Sequence, residues 1–318
     1  MKLEPVIPFE PIAVTGLPQG DDWVAQIKWD GVRMLSYFDG REARLINRRR
    51  NDHTPQYPEF ADPTVYCSSS SFILDGEFIA FDKARPSFQE VMKRDGLRTQ
   101  SGIAAALPRV PVTYMIFDVL YSGGKWVVDL PLEHRQSLLE KIVVPNERVQ
   151  LCRNFHDSAG LLELMKARGM EGVVCKKLGE AYGIGKKDGR WRKLKLTRDL
   201  YAAVGGVTYN GPTVNSLLLG LFDGTEKLRY IGYAGTGKLS REDWRALTER
   251  IPSLAVREMP FASRPDREKG VTWVRPHLVA KVQFLNWTQG GTMRQSSIQA
   301  LLPERYLAEC VVGQNGAD

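Results

Sequence analysis

Gln26-Ile27-Lys28-Trp29-Asp30-Gly31-Val32-Arg33 is the stretch on which the reading of this 318-residue chain turns. Upstream, Trp23-Val24-Ala25-Gln26-Ile27 alternates as a half-buried strand and Asp30-Gly31 is a turn signal, so Lys28 falls where a strand enters a loop. That position aims a side chain into a cleft. A lysine amine attacks phosphorus only when unprotonated, a state favoured by partial desolvation or cationic neighbours. A surface lysine beside a hairpin turn satisfies the same octet, so the rest of the chain has to decide.

Four further segments bear on it. Asn47-Arg48-Arg49-Arg50-Asn51-Asp52-His53-Thr54 is either a solvated charge run or a loop whose guanidinium forks hold a triphosphate. Phe72 to Phe81 is apolar except at Asp75-Gly76-Glu77. Two carboxylates in a buried strand need compensation, from a metal ion or from ribose hydroxyls, although Asp75-Gly76 alone also fits a hairpin turn. Glu77 favours function, because a tight turn does not require it. Val112 to Tyr121 embeds Phe117-Asp118, where the ring suits a purine stack or a core position and the acid a neighbouring group. Last come Glu171-Gly172-Val173-Val174-Cys175-Lys176 and Trp191-Arg192-Lys193-Leu194-Lys195. Lys193 and Lys195 alternate with apolar residues and so share one face of a strand. Two amines there neutralise a polyphosphate and help to deprotonate Lys28; the plain alternative is a polar outer face.

Together these segments resemble the nucleotidyltransferase superfamily of ATP-dependent DNA ligases, RNA ligases and mRNA-capping guanylyltransferases. Lys28 to Arg33 looks like its first motif, KxDGxR, and Arg48 falls at the arginine of the next. Asp75-Gly76-Glu77, Phe117-Asp118, Glu171 to Lys176 and Trp191 to Lys195 are similar to the following four. The likeness covers most of the chain and rests on the order of the six segments. Small bacterial DNA ligases and the ligase domain of bacterial non-homologous end-joining proteins share Lys-Trp-Asp-Gly and the Arg-Arg-x-x-Asp-x-Thr spacing of residues 48 to 54.

The resemblance implies an α+β nucleotidyltransferase (adenylation) domain over residues 1–197, with antiparallel sheets and flanking helices, followed by an all-β OB-fold domain over 198–318. It implies a DNA ligase that uses ATP and Mg2+ or Mn2+ to seal 5′-phosphate/3′-hydroxyl breaks in duplex DNA through a lysyl-AMP intermediate, in repair or end joining. Lys28, Asp30 and Arg33 are the expected catalytic residues. Gln26, Ile27, Arg33, Arg48, Glu77, Phe117, Lys193 and Lys195 would bind the nucleotide, and Glu77 and Glu171 the metal. Nicked or broken duplex DNA is the expected partner of a monomer, together with a DNA-end-binding repair protein. An RNA ligase or a capping-type guanylyltransferase shares the first step. A non-catalytic nick- or end-binding protein would not need Lys28, Glu77, Glu171, Lys193 and Lys195 together.

Two departures stand out. DNA ligases of the family commonly carry glutamate where this chain has Gln26, and an amide can face adenine in one flip and guanine in the other. The last motif reads Leu302-Pro303-Glu304-Arg305, without its first arginine, and Arg294 is the nearby candidate for that charge.

A net charge of +7 and a pI near 9.2 suit a polyanionic partner. Cys67, Cys152, Cys175 and Cys310 lack metal-ligand or disulfide-framework spacing, and the four histidines lack metal spacing. Neither a signal peptide nor an apolar membrane span is present, so a cytoplasmic, nucleoid-associated protein is expected. With only 27 residues before Lys28, a minimal two-domain enzyme is expected. Periodicity predicts helices at Ser87 to Lys93, Leu132 to Ile142, Ala159 to Ala167 and Ser240 to about Ile251, the last with a Ser240/Asp243 capping box. Short strands after Thr197 suggest a small barrel. Gly232 to Leu239 nearly spells a phosphate-binding P-loop, but Leu239 replaces the hydroxyl residue, and a strand-to-helix turn is the better reading.

Overall fold

Alternating and amphipathic segments become strands and helices in a computed structural model that describes residues 3–314, apart from 83, 84, 225–227, 236, 267, 289 and 303. The chain divides into two compact units, Met1–Leu196 and Thr197–Asp318.

The first unit is built on two main sheets. One orders the strands Glu10–Ala13, Lys187–Lys195, Gly172–Lys177 and Trp23–Ile27. The other orders Val149–Leu151, Thr113–Ser122, Phe72–Ile79, Val32–Phe38 and Ala43–Asn47. On one face of the four-stranded sheet, Trp23, Ala25, Val173, Cys175 and Leu194 pack against Leu161 and Met165 of the helix Ser158–Ala167. That burial leaves the polar residues of the same strands on the opposite face. The larger sheet buries Phe60, Phe72, Phe78, Tyr114 and Ile116 in a separate apolar layer.

Asp75-Gly76 is not a hairpin turn. Both residues lie inside the continuous strand Phe72–Ile79. A Cβ on Gly76 would stand 2.6 Å from the carbonyl oxygen of Met115, so glycine is needed for close approach to the adjacent strand. The helix Leu132–Ile142 has the span that its periodicity predicts, and Phe88–Asp95 begins after Ser87, whose hydroxyl accepts from the backbone N–H of Glu90. A short helix, Gln100–Ala106, was not signalled by the pattern; its apolar content is alanine and one isoleucine, too little for a periodic stripe.

The second unit orders the strands Leu228–Ala234, Thr213–Phe222, Arg198–Asn210, Val279–Phe284 and Ser297–Leu302. Its two edges meet where the backbone N–H of Lys238 donates to the carbonyl of Ile298 at 2.8 Å, beside the Gly237–Ile298 bridge. The sheet is thus closed into the expected OB-fold barrel. Gly237 sits at φ +148, and a Cβ there would lie 1.8 Å from the Ile298 carbonyl oxygen. The P-loop look-alike is therefore the barrel-closing connection into the helix Arg241–Leu254, which carries the Ser240/Asp243 capping box. Thr236 within it lies outside the described residues, as do Pro303 and the side chain of Arg305 in the last motif. No helix among the described residues is long and apolar enough to cross a membrane.

Candidate active site

The site forms in the first unit, where strand register aligns residues from three sequence segments. Gln26 pairs with Val174, and Val174 with Lys193, so these three side chains share the face opposite the helix Ser158–Ala167. One step along, the backbone N–H of Lys28 donates to the carbonyl of Gly172 at 3.0 Å, and Gly172 pairs with Lys195. Gly172 is at φ +137, and a Cβ on it would meet the Leu194 carbonyl oxygen at 2.1 Å. Only glycine lets the two strands close here.

Lys28 is placed on Glu171. Its Nζ lies 2.7 Å from one carboxylate oxygen, while Lys195 Nζ lies 3.3 Å from the other. The carboxylate is nearly sealed, with 4% of its side chain exposed. Lys193 completes the cationic group: burial, then the nearby charges of Lys28 and Lys195, holds its amine below the ordinary lysine pKa. Glu171, expected as a metal ligand, thus has both oxygens engaged by amines.

Glu77 differs. Among the described residues no hydrogen-bond donor or cation is paired with its carboxylate. Burial raises its pKa to about 7; Lys28 and Arg33 pull it down less than burial lifts it, and Glu171 adds repulsion. No group of three or more His, Cys, Asp or Glu side chains with metal-binding geometry occurs among the described residues. A single unpaired carboxylate fits Mg2+, which retains waters and takes one or two protein oxygens beside substrate phosphates.

Arg33 and Asp75 compensate each other. Arg33 Nε and Nη2 donate to the two Asp75 oxygens at 2.6 Å each, and the Tyr182 hydroxyl donates to Asp75 at 2.6 Å. Burial opposes the charge of Arg33, but Asp75 more than offsets it, so the guanidinium is held charged beyond its usual range. Asp75 therefore needs no metal, and the Arg33 fork is not free for phosphate in this arrangement. Asp118 is matched in the same way, by Arg135 at 2.7 and 3.0 Å, both side chains being fully buried.

The remaining expected residues are placed as follows. Asp30 accepts from the backbone N–H of Phe88 at 3.3 Å, which ties the lysine loop to the start of a helix. The Ile27 side chain packs on the apolar face with Leu161 and Val173, so only its backbone is available to a nucleotide. Arg48 is largely exposed and lies 4.0 Å from Glu10, itself close enough to Lys193 to stabilise that charge. Among the described residues, no ion pair links Arg48 to Glu171.

Phe117 meets cations. Lys176 Nζ is 4.2 Å from its ring centroid and Arg33 Cζ 4.7 Å, and Lys176 also lies 3.9 Å from the Trp191 ring. Lys176 is buried, which lowers its pKa to about 8. Lys176 stood in a motif without a task at the level of sequence, because its aromatic partners come from distant strands. Glu10, Gln136 and Asn154 carried no signal at all.

A family profile described as "ATP dependent DNA ligase domain" matches residues 12–195, and one described as "ATP dependent DNA ligase C terminal region" matches 210–304. The chain is 30% identical over 311 residues to the multifunctional non-homologous end joining protein LigD of Pseudomonas aeruginosa, spanning 94% of this chain and 36% of that protein. It is 34% identical over 269 residues to a probable DNA ligase of Streptomyces coelicolor, spanning 81% of this chain and 50% of that one. The chain thus spans half the length or less of these curated relatives. Among solved structures, mycobacterial DNA ligase D complexed with ATP and MES matches with a TM-score of 0.52 and 29% identity, over 96% of this chain and 98% of the other.

Proposed function

Because the chain belongs to the ATP-dependent DNA ligase family, we propose that its first unit, assigned to residues 1–197, transfers AMP from ATP to Lys28, and that the whole chain seals nicks in duplex DNA. The observation that carries this reading is the Lys28–Glu171–Lys195 bridge with Lys193 beside it. A nucleophile, a carboxylate in hydrogen-bond contact with it and two further amines meet on one sheet face.

In the first step the Lys28 nitrogen bonds to the α-phosphorus as the bond to the pyrophosphate oxygen breaks. Glu171, 2.7 Å from Nζ, is positioned to take the proton that must leave the amine. Lys193 and Lys195 neutralise phosphate charge, which is the main demand of in-line phosphoryl transfer. Arg33 acts through Asp75, fixing the strand that follows the lysine loop, and Asp30 anchors the loop itself. Gln26, the Ile27 backbone and the Phe117 ring form the purine side of the site. Glu77 is the carboxylate that would hold Mg2+, and the ion would supply positive charge near the departing pyrophosphate. AMP then passes to the 5′-phosphate of a nick, and the 3′-hydroxyl displaces it to join the strand.

The OB-fold unit, assigned to residues 198–318, is proposed as the surface that closes on duplex DNA. The net charge of +7 supports a polyanionic substrate. Repair or end joining in the cytoplasm, as a monomer recruited by an end-binding protein, is the proposed setting. The test is joining of a nicked DNA duplex with ATP and Mg2+, run beside a nicked RNA duplex. Joining of DNA alone is expected. Joining of RNA alone moves the chain to the RNA-ligase reading, and joining of neither removes the sealing function.

A further inference from the structure

Gln26 is 2% exposed, and only one end of its amide is engaged. A line of side-chain amides leads from it to a fixed point. The carbonyl oxygen of Phe117 can only accept, so the Gln136 group that meets it at 2.7 Å is the Nε2 amine. The Gln136 Oε1 then faces Asn154, whose Nδ2 donates to it at 3.5 Å. This turns the Asn154 Oδ1 toward Gln26, where it accepts from Nε2 at 2.7 Å. Each amide is oriented by the one before it, and the polarity of the whole line is set by one backbone carbonyl. Its free end is the Gln26 Oε1, for which no donor is paired among the described residues. Gln26 lies in register with Val174 and Lys193, on the sheet face that carries the catalytic lysines.

We propose that Asn154 and Gln136 are positioning residues that lock the Gln26 amide with its acceptor toward the purine, so that a 6-amino base is taken and a 6-oxo base refused. The proposal rests on the adenylation reading above. An adenine 6-amino group donates to Oε1, whereas a 6-oxo group sets two acceptors against each other and leaves a buried polar group unsatisfied. The family's usual glutamate can present only acceptors. Here a glutamine behaves as one because two further amides hold its flip.

The test compares covalent labelling by α-labelled ATP and ITP, whose hypoxanthine differs from adenine in carrying a 6-oxo group and an N1–H. Wild type is expected to prefer ATP by about ten-fold or more, the range set by one unsatisfied buried polar group. Gln136→Met and Asn154→Leu release the amide, and the ITP-to-ATP ratio should rise roughly ten-fold in each. Asn154→Asp still accepts from Gln26 Nε2, and Gln26→Glu has no donor, so both should keep the wild-type ratio. A purely structural role for these amides lowers both labels together; an unchanged ratio in Gln136→Met and Asn154→Leu, whatever the loss of total label, overturns the proposal while leaving adenylation intact. Absence of label from either nucleotide in the wild type removes the adenylation reading and the proposal with it.

Discussion

Replacing Asp75 by asparagine keeps the shape of the side chain and removes its charge. Asp75 has no exposed side-chain surface, Arg33 retains 14%, and the two 2.6 Å bonds between them are the main compensation for both. Removing one member of a buried pair costs about 3–5 kcal/mol, because the survivor is stranded out of water. Asparagine still offers one acceptor, and Arg33 is not fully sealed, so about 2–4 kcal/mol is expected for Asp75→Asn. With a urea dependence of about 1–3 kcal/mol per molar, the unfolding midpoint should fall by roughly 1–2 M. The double variant Arg33→Met/Asp75→Asn removes the stranded charge and leaves an acceptor for the Tyr182 hydroxyl. It should recover to within about 1.5 kcal/mol of wild type. Equilibrium urea denaturation, followed by tryptophan fluorescence and far-UV circular dichroism, measures both. A loss under about 1 kcal/mol in the single variant, or a double variant as unstable as the single, would refute the claim that Arg33 and Asp75 exist chiefly to compensate each other.

Gly172→Ala should be costly in stability and labelling alike: the positive φ contributes about 1–3 kcal/mol and the contact with the Leu194 carbonyl a similar amount. A thermal midpoint within about 2 °C of wild type would show that the strands can part freely. Glu77 should make stability depend on pH. Its pKa is about 7 in the folded chain against 4.5 as the ordinary value, so between the two the folded state holds a proton that the unfolded state has lost. Stability should therefore fall as pH climbs from about 4.5 to 7, by up to about 3 kcal/mol, and Glu77→Gln should lack that component. Parallel profiles for the two proteins would contradict it. The same variant should need more Mg2+ for half-maximal adenylation, and an unchanged requirement would place the metal elsewhere.

What the sequence disclosed depended on how local the determinant was. The helix at Leu132–Ile142 and the Ser240/Asp243 cap were legible because periodicity and capping act over a few residues. Alternation in Trp191 to Lys195 likewise placed Lys193 and Lys195 on one face. Phe72 to Phe81 read as a buried strand, but a turn at Asp75-Gly76 stayed open because the residue that makes a buried aspartate tolerable, Arg33, lies 42 positions earlier. Glu171 was expected at the metal, and its engagement by Lys28, 143 residues away, was not legible because it exists only once two strands are in register. Gln26 was ambiguous for the same reason. Its orientation is decided by Asn154 and Gln136, more than 100 residues downstream, and by a carbonyl that has no signature in the sequence.

Covalent transfer to Lys28 is the step on which every assigned role depends. Incubation with α-labelled ATP and Mg2+, followed by denaturing electrophoresis, should give a labelled band for the wild type that is stable to alkali and lost in acid, as a lysine phosphoramidate requires, and none for Lys28→Ala. A wild type that takes up no label, or a Lys28→Ala variant that labels equally, would contradict the account.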